Sequence, residues 1–186
     1  MPLRVIAGEL KGRRLRTVPG WRTRPTADRI REAIFSILGP AVRQTAVLDL
    51  FAGTGAFGIE ALSRGAASAL FIEVDRKACA VLAENIQTCR LSAKTRILRR
   101  DASRNLDGLR NCDHGFQLIF MDPPYRAGLI APALSHLHRA GCVAYGARLV
   151  IERDTSDALP EPIEPYRLQD QRRYGRTLVS FLTYVL

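Results

Sequence analysis

The hydrophobic positions of the chain alternate between short continuous runs and segments in which apolar residues recur at helical spacing. The continuous runs predict β-strands at residues 46–51, 68–74, 95–98, 116–121 and 147–152. The segments between them predict α-helices at residues 56–64, 76–89, 103–110 and 129–140. Strands that alternate with helices of this length form βαβ units around a parallel sheet. Runs without strict alternation are typical of strands covered on both faces. We therefore expect an α/β fold with a doubly wound, mostly parallel sheet.

Two further elements flank this pattern. Residues 26–38 predict an amphipathic helix before the first strand, with Thr26 as its N-cap. The apolar face of this helix comprises Ile30, Ile34, Ile37 and Leu38. At the other end of the chain, residues 166–173 and 177–186 predict an antiparallel hairpin around a Tyr174-Gly175 turn.

The first 22 residues form a separate feature, which we call the arm. Residues 3–6 and 14–18 predict two short strands joined through Gly8 and Gly12. The arm has too few apolar residues for a core of its own. We therefore expect a basic β-hairpin appendage on one domain that spans residues 23–186.

The charge of the chain is concentrated near its start. The 186 residues include 28 Lys+Arg and 18 Asp+Glu, which gives a net charge of +10, and residues 1–31 hold nine basic and two acidic groups. A cationic segment on a nearly neutral remainder indicates a polyanionic partner and salt-dependent binding. A solvated basic tail is the alternative, but Leu3, Val5 and Ile6 favour an ordered hairpin. Trp21 either stacks on a base or packs beneath the arm.

Several classes of protein are excluded by what the sequence lacks. The four cysteines contain no C-x-x-C and the three histidines add no zinc-finger pattern, so we expect reduced thiols, no metal and a cytoplasmic protein. No run approaches the roughly 18 apolar residues of a membrane span, and the N-terminus lacks the apolar core of a secretory signal. We expect a monomer because no apolar stripe is left over.

A glycine-rich loop follows the first strand. Gly53, Gly55 and Gly58 match G-x-G-x-x-G between a predicted strand and a predicted helix, where backbone and helix N–H groups can approach a ligand. Glu73 lies 20 residues after Gly53, at the end of the second strand, where its carboxylate can accept from both hydroxyls of a ribose. The pattern predicts a nucleoside cofactor, and by itself it also serves NAD.

Asp49 helps to distinguish between two candidate cofactors, NAD and S-adenosylmethionine. A charge near the end of a buried strand is costly without a partner, and the ammonium group of S-adenosylmethionine would supply one, whereas NAD has none. The alternative is that Asp49 accepts from backbone N–H groups of the loop. Asp101 and Ala102 follow the third strand, where a carboxylate could accept from the adenine amine.

The fourth strand runs into Asp122-Pro123-Pro124-Tyr125. The prolines fix the backbone, so that the Pro123 carbonyl and the Asp122 carboxylate both present acceptors to the ligand crevice. These acceptors can bind both hydrogens of a nucleobase amine and stabilise the positive charge that develops during methylation. Tyr125 would stack on the base. The alternative is a rigid loop that only leaves the strand.

These motifs carry a resemblance. Residues 49–58 and 122–125 resemble class I S-adenosylmethionine-dependent methyltransferases that modify amino groups. Residues 4–8, 12–15 and 23–33, above all Thr23-Arg24-Pro25-Thr26, are similar to the bacterial RsmD family, whose members methylate guanine N2 in 16S ribosomal RNA. The resemblance covers nearly the whole chain and implies a Rossmann-like, seven-stranded sheet.

The resemblance also implies roles for particular residues. Cofactor contacts fall on Asp49, Ala52, Gly53, Gly55, Glu73, Asp101 and Ala102. Catalysis falls on Asp122, Pro123 and Tyr125, where the family often has Phe at the last position. The basic charge near the start of the chain, and not the resemblance, predicts RNA contacts at Arg4, Lys11, Arg13, Arg14, Arg22 and Arg24. The chain departs from the family at Arg176, where a polar or acidic residue is expected, which puts the role of the 174–177 turn in question.

We therefore expect an RNA guanine-N2 methyltransferase that uses S-adenosyl-L-methionine and acts on 16S ribosomal RNA or an assembling small subunit. A DNA adenine-N6 methyltransferase is the first rival, although 186 residues leave no room for a separate target-recognition region. A dinucleotide-dependent oxidoreductase is the second, against which Asp49 and the double-proline turn count. The third is a non-catalytic RNA-binding protein, which the presence of Asp122 disfavours.

Overall fold

A computed structural model of the chain describes residues 3–20, 25–107, 109 and 115–186, and the side chains of residues 25–27 are not described. Trp21, Arg22 and Arg24 therefore lie outside the described residues. Thr26, predicted as the N-cap of the first helix, is instead its second residue, because α1 begins one residue earlier, at Pro25. The α-helices are α1 (Pro25–Leu38), α2 (Ala56–Ser63), α3 (Arg76–Thr88) and α4 (Ile130–Arg139). The β-strands are β1 (Ala46–Leu50), β2 (Ser68–Glu73), β3 (Thr95–Arg99), β4 (Phe116–Met121), β5 (Val143–Asp154), β6 (Tyr166–Tyr174) and β7 (Thr177–Tyr184).

The strands form one seven-stranded sheet in the order β3-β2-β1-β4-β5-β7-β6. Strands β1 to β5 pair in parallel, while β7 lies antiparallel between β5 and β6. The predicted doubly wound sheet with an antiparallel C-terminal hairpin is thus confirmed. The strand order reverses between β1 and β4, and in open sheets of this kind ligands bind beyond the carboxyl ends of the strands at that point.

Apolar side chains cover both faces of the sheet. On one face, α1, α2 and α3 pack on β1, β2 and β4, with Phe35 and Phe57 each close to Phe120 (ring centroids 5.4 and 5.1 Å). On the other face, α4 contributes Leu134 and Leu137 to a second cluster. This two-sided burial explains why the central strands are continuous apolar runs. Within the described residues, no helix is long and apolar enough to cross a membrane.

The predicted helix at 103–110 is wrong for the residues described. Turns replace it, and at Asp107 a side chain takes the backbone N–H group that a helix would use. Asp107 N would donate to Ser103 O in the predicted helix, but it donates to Asn105 Oδ1 instead (2.6 Å). Short Asp and Asn side chains compete with the helical backbone in this way.

Two other details of the prediction need correction. Ile37, expected on the buried face of α1, is 43 % exposed. Strand β5 begins at Val143, earlier than expected, and pairs with β4 across an irregularity between Phe116 and Leu118. The first residues of β5 are half-buried or exposed, and Gly146, with a φ of 76°, interrupts the apolar sequence between Tyr145 and Ala147.

The arm is ordered along residues 3–18, but its strands are shorter than predicted. The segments 3–6 and 14–18 meet in a single antiparallel bridge between Arg4 and Arg14, so neither forms a full strand. Backbone hydrogen bonds from Val5 N to Arg13 O and from Leu15 N to Leu3 O, both 2.9 Å, flank the bridge. Leu3, Val5 and Leu15 are buried in the same cluster as α1 and α2.

Polar side chains of α2 hold the arm against the domain. Glu60, fully buried, accepts hydrogen bonds from the backbone N–H groups of Ile6 (2.7 Å) and Ala7 (3.0 Å) and from Arg64 Nε (2.7 Å). One turn later, Ser63 Oγ accepts from Leu10 N (2.9 Å) and donates to Ala7 O (2.6 Å). The arm is therefore fixed through its backbone, which leaves its basic side chains at the surface.

We predict that Glu60→Ala releases the arm. The substitution removes the acceptor for two backbone N–H groups and leaves Arg64 without its carboxylate, so the free energy of unfolding should fall by about 3 kcal/mol. Trypsin should then cleave within residues 4–16 faster than in the unmodified protein. Glu84→Ala is the control, because Glu84 forms only an exposed ion pair with Arg16 and should cost less than about 1 kcal/mol. Equal stability and equal cleavage in both variants would contradict the role of Glu60.

Candidate functional site

The predicted site residues of the domain converge at the carboxyl ends of the parallel strands. Asp49 is the penultimate residue of β1, Glu73 ends β2, and Asp122 directly follows β4. β1 pairs with both β2 and β4, so the loops after these strands are neighbours. The sequence-predicted carboxylates are therefore brought to one edge of the sheet, at the point where the strand order reverses.

The glycine loop connects β1 to α2. Gly55 is the N-cap of α2 with a φ of 85°, a left-handed conformation that favours glycine. At Gly58 a Cβ would lie 2.3 Å from Cε1 of Phe71 on β2, so only glycine allows α2 to pack this closely on the sheet. Gly53 and Ala52 lie at the turn itself, and Ala52 N donates to Ile72 O (2.9 Å).

Two carboxylates hold this loop. Asp49, which is 2 % exposed, accepts from Gly58 N through Oδ2 (3.0 Å). Glu73 accepts from Gly53 N through Oε2 and from Asp75 N through Oε1, both at 2.7 Å. The backbone contact weighed as the alternative for Asp49 is thus present in the structure. Burial, with a smaller effect of the Glu73 charge, raises the pKa of Asp49 to about 7, although the Gly58 hydrogen bond opposes the shift.

Asp101 follows β3 at the same edge and is half-buried, with Ala102 buried behind it. Its Oδ1 accepts from the backbone N–H and the hydroxyl of Ser103 (2.9 and 2.6 Å), and Oδ2 lies 3.2 Å from Arg104 Nε. The Ser103 hydrogen bonds are the largest cause of the lowered pKa of Asp101. The side chain is therefore an ionised acceptor near neutral pH, as a contact to an amine donor requires.

The Asp122–Tyr125 turn leaves β4 toward β5. Asp122 is half-buried and Pro123 is buried. The Tyr125 hydroxyl lies 3.0 Å from Glu152 Oε1 and 3.1 Å from Thr177 Oγ1, and both partners are less than 10 % exposed. Burial and the Glu152 charge raise the pKa of Tyr125, which keeps its hydroxyl protonated as a donor. These contacts fix the tyrosine ring beside Asp122 and Pro123.

Sequence reasoning missed Glu152 and Thr177. Glu152 lies within the carboxyl-terminal part of β5, where buried residues surround it, and this is the same signal that singled out Asp49 in β1. Thr177 begins β7 directly after the Tyr174-Gly175 turn. The turn whose role the sequence left in question therefore supplies a partner for a predicted catalytic residue.

The predicted basic residues of the arm lie apart from the carboxylates. Arg4, Lys11, Arg13 and Arg14 are exposed, while Arg22 and Arg24 lie outside the described residues. The arm nevertheless contacts the glycine loop indirectly through Asn85 of α3. The Asn85 side chain accepts from Arg16 N (2.7 Å) and donates to Arg16 O (3.1 Å) and to Thr54 O (3.0 Å).

The sheet order, the glycine loop and the Asp-Pro-Pro-Tyr turn together define a methyltransferase of class I fold. Residues 3–183 match the family model described as Conserved hypothetical protein 95. "Putative rRNA methyltransferase YlbH" of Bacillus subtilis (strain 168) is 37 % identical over 178 residues, which cover 96 % of this chain and 97 % of that protein. Ribosomal RNA small subunit methyltransferase D of Escherichia coli (strain K12) is 36 % identical over 174 residues, which cover 94 % of this chain and 86 % of that protein. The chain therefore belongs to this family, which includes the RsmD methyltransferases.

A solved structure agrees with this assignment over the whole chain. "Putative methyltransferase yhhF" from Escherichia coli superposes with a TM-score of 0.86 at 31 % identity and covers 100 % of this chain and 99 % of that one.

We predict that Tyr125→Phe destabilises the turn through the loss of one hydroxyl. The Tyr125 hydroxyl donates to Glu152 and, with its one hydrogen so used, accepts from Thr177. Both partners are buried, so removal of the hydroxyl should lower the free energy of unfolding by about 1–2 kcal/mol. Tyr145→Phe is the matched control, because Tyr145 is 82 % exposed and its variant should stay within about 0.5 kcal/mol of the unmodified protein. Chemical denaturation of the three proteins measures the difference. Equal stability of the two variants would show that the Tyr125 hydroxyl contributes nothing.

Proposed function

We propose that the protein transfers a methyl group from S-adenosyl-L-methionine to the exocyclic N2 amine of a guanine in 16S ribosomal RNA. The observation that carries the proposal is the Asp122–Tyr125 turn, fixed by Glu152 beside the glycine loop at the reversal point of the sheet. The family supports the substrate class, since the Escherichia coli relative is named for the small-subunit ribosomal RNA. Action on ribosomal RNA also implies a cytoplasmic location.

The residues around the glycine loop fit a cationic nucleoside. Asp49, Glu73 and Asp101 place three carboxyl groups at neighbouring strand ends. Carboxylates can accept from ribose hydroxyls and from an adenine amine, and their charge favours an ammonium or sulfonium group. Bound S-adenosylmethionine supplies an electrophilic methyl group on its sulfonium sulfur. We assign its binding to these three residues together with the backbone at Ala52, Gly53, Gly55 and Ala102.

The same residues disfavour the dinucleotide alternative. In dinucleotide-binding folds, the glycine-loop N–H groups bind a pyrophosphate. Here the Gly53 and Gly58 N–H groups already donate to Glu73 and Asp49. A pyrophosphate would have to displace carboxylates and approach their negative charge, which costs electrostatic free energy.

The protein's own part in methyl transfer is to bind and activate the guanine amine, and we assign it to Asp122, Pro123 and Tyr125. The lone pair of a guanine N2 amine is delocalised into the ring, which makes the amine a weak nucleophile. The Asp122 carboxylate and the Pro123 carbonyl accept hydrogen bonds from the two amine N–H groups, favour a pyramidal nitrogen and stabilise the positive charge that develops on it. The methylated nitrogen then becomes neutral by releasing one of its protons to solvent. The Tyr125 ring holds the base in line by stacking. Its hydroxyl, anchored by Glu152, restricts the ring to one orientation.

The arm serves to dock the RNA. Its exposed basic side chains, Arg4, Lys11, Arg13 and Arg14, lie on a backbone that Glu60 and Ser63 fix in place. An ordered cationic surface binds phosphates with less loss of conformational entropy than a loose tail does. We assign Arg22, the last residue of the arm, and Arg24, which follows it closely in sequence, to the same role.

We predict that Asp122→Ala abolishes methyl transfer while the affinity for S-adenosylmethionine stays within about twofold. The carboxylate is assigned to the substrate amine, so its loss should reduce kcat by at least about a hundredfold. Transfer of tritium from labelled cofactor to ribosomal RNA, small subunits and duplex DNA measures activity and substrate class together. Asp170→Ala, a half-buried carboxylate on β6, is the control. Unchanged turnover of Asp122→Ala would remove its assigned role, and labelling of adenine in DNA in preference to RNA would overturn the proposal.

We predict that the double variant Arg13→Ala/Arg14→Ala binds RNA more weakly and with a shallower salt dependence. Each phosphate that the arm no longer neutralises should reduce the slope of log K against log salt by about 0.7–0.9. Arg43→Ala/Lys94→Ala is a charge-matched control, because these exposed residues precede β1 and β3 and so lie at the opposite edge of the sheet. A loss of cofactor affinity with normal RNA affinity would contradict the role of the arm.

A further inference from the structure

Two arginines share a buried carboxylate at the end of β5. Arg126 Nη2 lies 3.7 Å from Asp154 Oδ1, and Arg176 Nη2 lies 3.3 Å from Asp154 Oδ2. The Asp154 side chain is only 4 % exposed, whereas those of Arg126 and Arg176 are 62 % and 72 % exposed. The carboxylate is thus buried beneath two guanidinium groups that face solvent. We call Arg126 and Arg176 the Asp154 arginine pair.

The pair flanks the residue that is assigned to stack on the target base. Arg126 directly follows Tyr125, and Arg176 directly precedes Thr177. The Tyr125 hydroxyl and Thr177 Oγ1 are 3.1 Å apart, so the two chain segments touch at this point. Both guanidinium groups therefore emerge next to the Asp122–Tyr125 turn.

Hydrogen bonds hold the backbone on both sides of the pair. Arg126 N donates to both carboxylate oxygens of Asp157 (3.1 and 3.0 Å), and its φ of 59° is uncommon for a residue with a long side chain. Thr155 N donates to Arg176 O (2.9 Å). Asp154 itself accepts from Ser156 N and Oγ (3.1 and 2.7 Å). Two separate loops are thus arranged so that both arginines meet one carboxylate.

The two ion pairs of this arrangement contribute little to stability and leave guanidinium N–H donors available. An exposed guanidinium contributes less than about 1 kcal/mol through a single ion pair. A guanidinium presents several N–H donors in a fixed plane, and one carboxylate that already accepts twice from Ser156 occupies only some of them. The remaining donors suit the bidentate recognition of phosphate, for which arginine is favoured.

The sheet order places this pair and the arm on opposite sides of the turn. The arm contacts α2 and α3, which connect β1, β2 and β3. The pair belongs to the loops after β4 and before β7, on the β5–β7 side of the sheet. An RNA strand whose target base enters beside Asp122 would therefore pass between two basic surfaces, the arm and the Asp154 arginine pair.

A cavity beside Arg126 provides space for one nucleotide of such an RNA strand. It measures about 460 Å³ and is lined by Pro123, Pro124, Arg126, Ser156 and Asp157, among others. This volume lies within the range of sites that bind small organic molecules. The cavity thus extends from the two prolines of the Asp122–Tyr125 turn to Arg126.

We propose that Arg126 and Arg176 form a phosphate-binding site that holds the RNA backbone next to the target base. The proposal rests on the proposed function, because it takes the ligand to be the RNA substrate. The arm then supplies general docking, and the pair fixes the strand at the point of methyl transfer. Arg176, the residue by which the chain departs from the expected family pattern, has a defined role in this site.

The test compares the double variant Arg126→Asn/Arg176→Ala with the unmodified protein. Asn is chosen at position 126 because it tolerates a positive φ. We expect the KM for RNA to rise about tenfold and the salt slope of RNA binding to fall by about 0.7 for each phosphate that is no longer bound. The affinity for S-adenosylmethionine should not change. The charge-matched control Arg43→Ala/Lys94→Ala should leave the KM and the slope nearly unchanged.

A double variant that matches this control in KM and in salt slope would overturn the phosphate site. If the double variant is unstable, the salt slope of the single variant Arg176→Ala tests the phosphate site, because Arg176 lies in an exposed hairpin turn. A folded Arg176→Ala protein should show about half of the slope change, and an unchanged slope would overturn the proposal.

The proposed function and the phosphate site fail in different ways. Absence of RNA methylation by the unmodified protein overturns the proposed function, whereas normal methylation with an insensitive double variant overturns the phosphate site alone.

Discussion

The architecture of this protein depends on buried carboxylates that must accept hydrogen bonds. A carboxylate removed from water is costly unless donors surround it, and here each one takes its donors from a loop of the site. Asp49 and Glu73 hold the glycine loop, and Glu152 holds the tyrosine of the Asp-Pro-Pro-Tyr turn. Glu60 does the same for the arm. The buried carboxylates, whose desolvation costs free energy, therefore also hold the loops of the candidate site and the arm in place.

This organisation separates chemistry from docking. The acceptors and the candidate stacking ring lie at the carboxyl ends of β1, β2 and β4, where the strand order reverses. Positive charge is placed around them, on the arm and, in our proposal, on the Asp154 arginine pair. Asn85 joins one of these surfaces to the glycine loop, because its side chain contacts both Arg16 and Thr54. The surface that we propose for RNA docking and the loop that we propose for cofactor binding are thus connected by the hydrogen bonds of Asn85.

Much of this arrangement could be predicted from the sequence. Strands β1, β2 and β4 are apolar runs, and the glycine and Asp-Pro-Pro-Tyr motifs follow them directly, so the position of the site followed from local pattern. The prediction failed where side chains compete with the backbone, as in the turns after Asp101. It also failed where pairing partners are distant, as at the start of β5, which β4 recruits despite an exposed and glycine-containing sequence. The arm strands were overestimated because their apolar residues pack on α1 and α2 instead of extending a ladder.

The sequence by itself determined the fold class, and it predicted the edge of the sheet and the residues that we propose for the chemistry. These follow from local periodicity and from motifs of adjacent residues. Only the tertiary structure decided which groups meet across long sequence separations: Glu60 with the arm, Tyr125 with Glu152 and Thr177, and Asp154 with Arg126 and Arg176. Such contacts depend on how strands β4, β5 and β7 are ordered and aligned in the sheet. That order is set by the packing of the whole chain, and no local pattern records it.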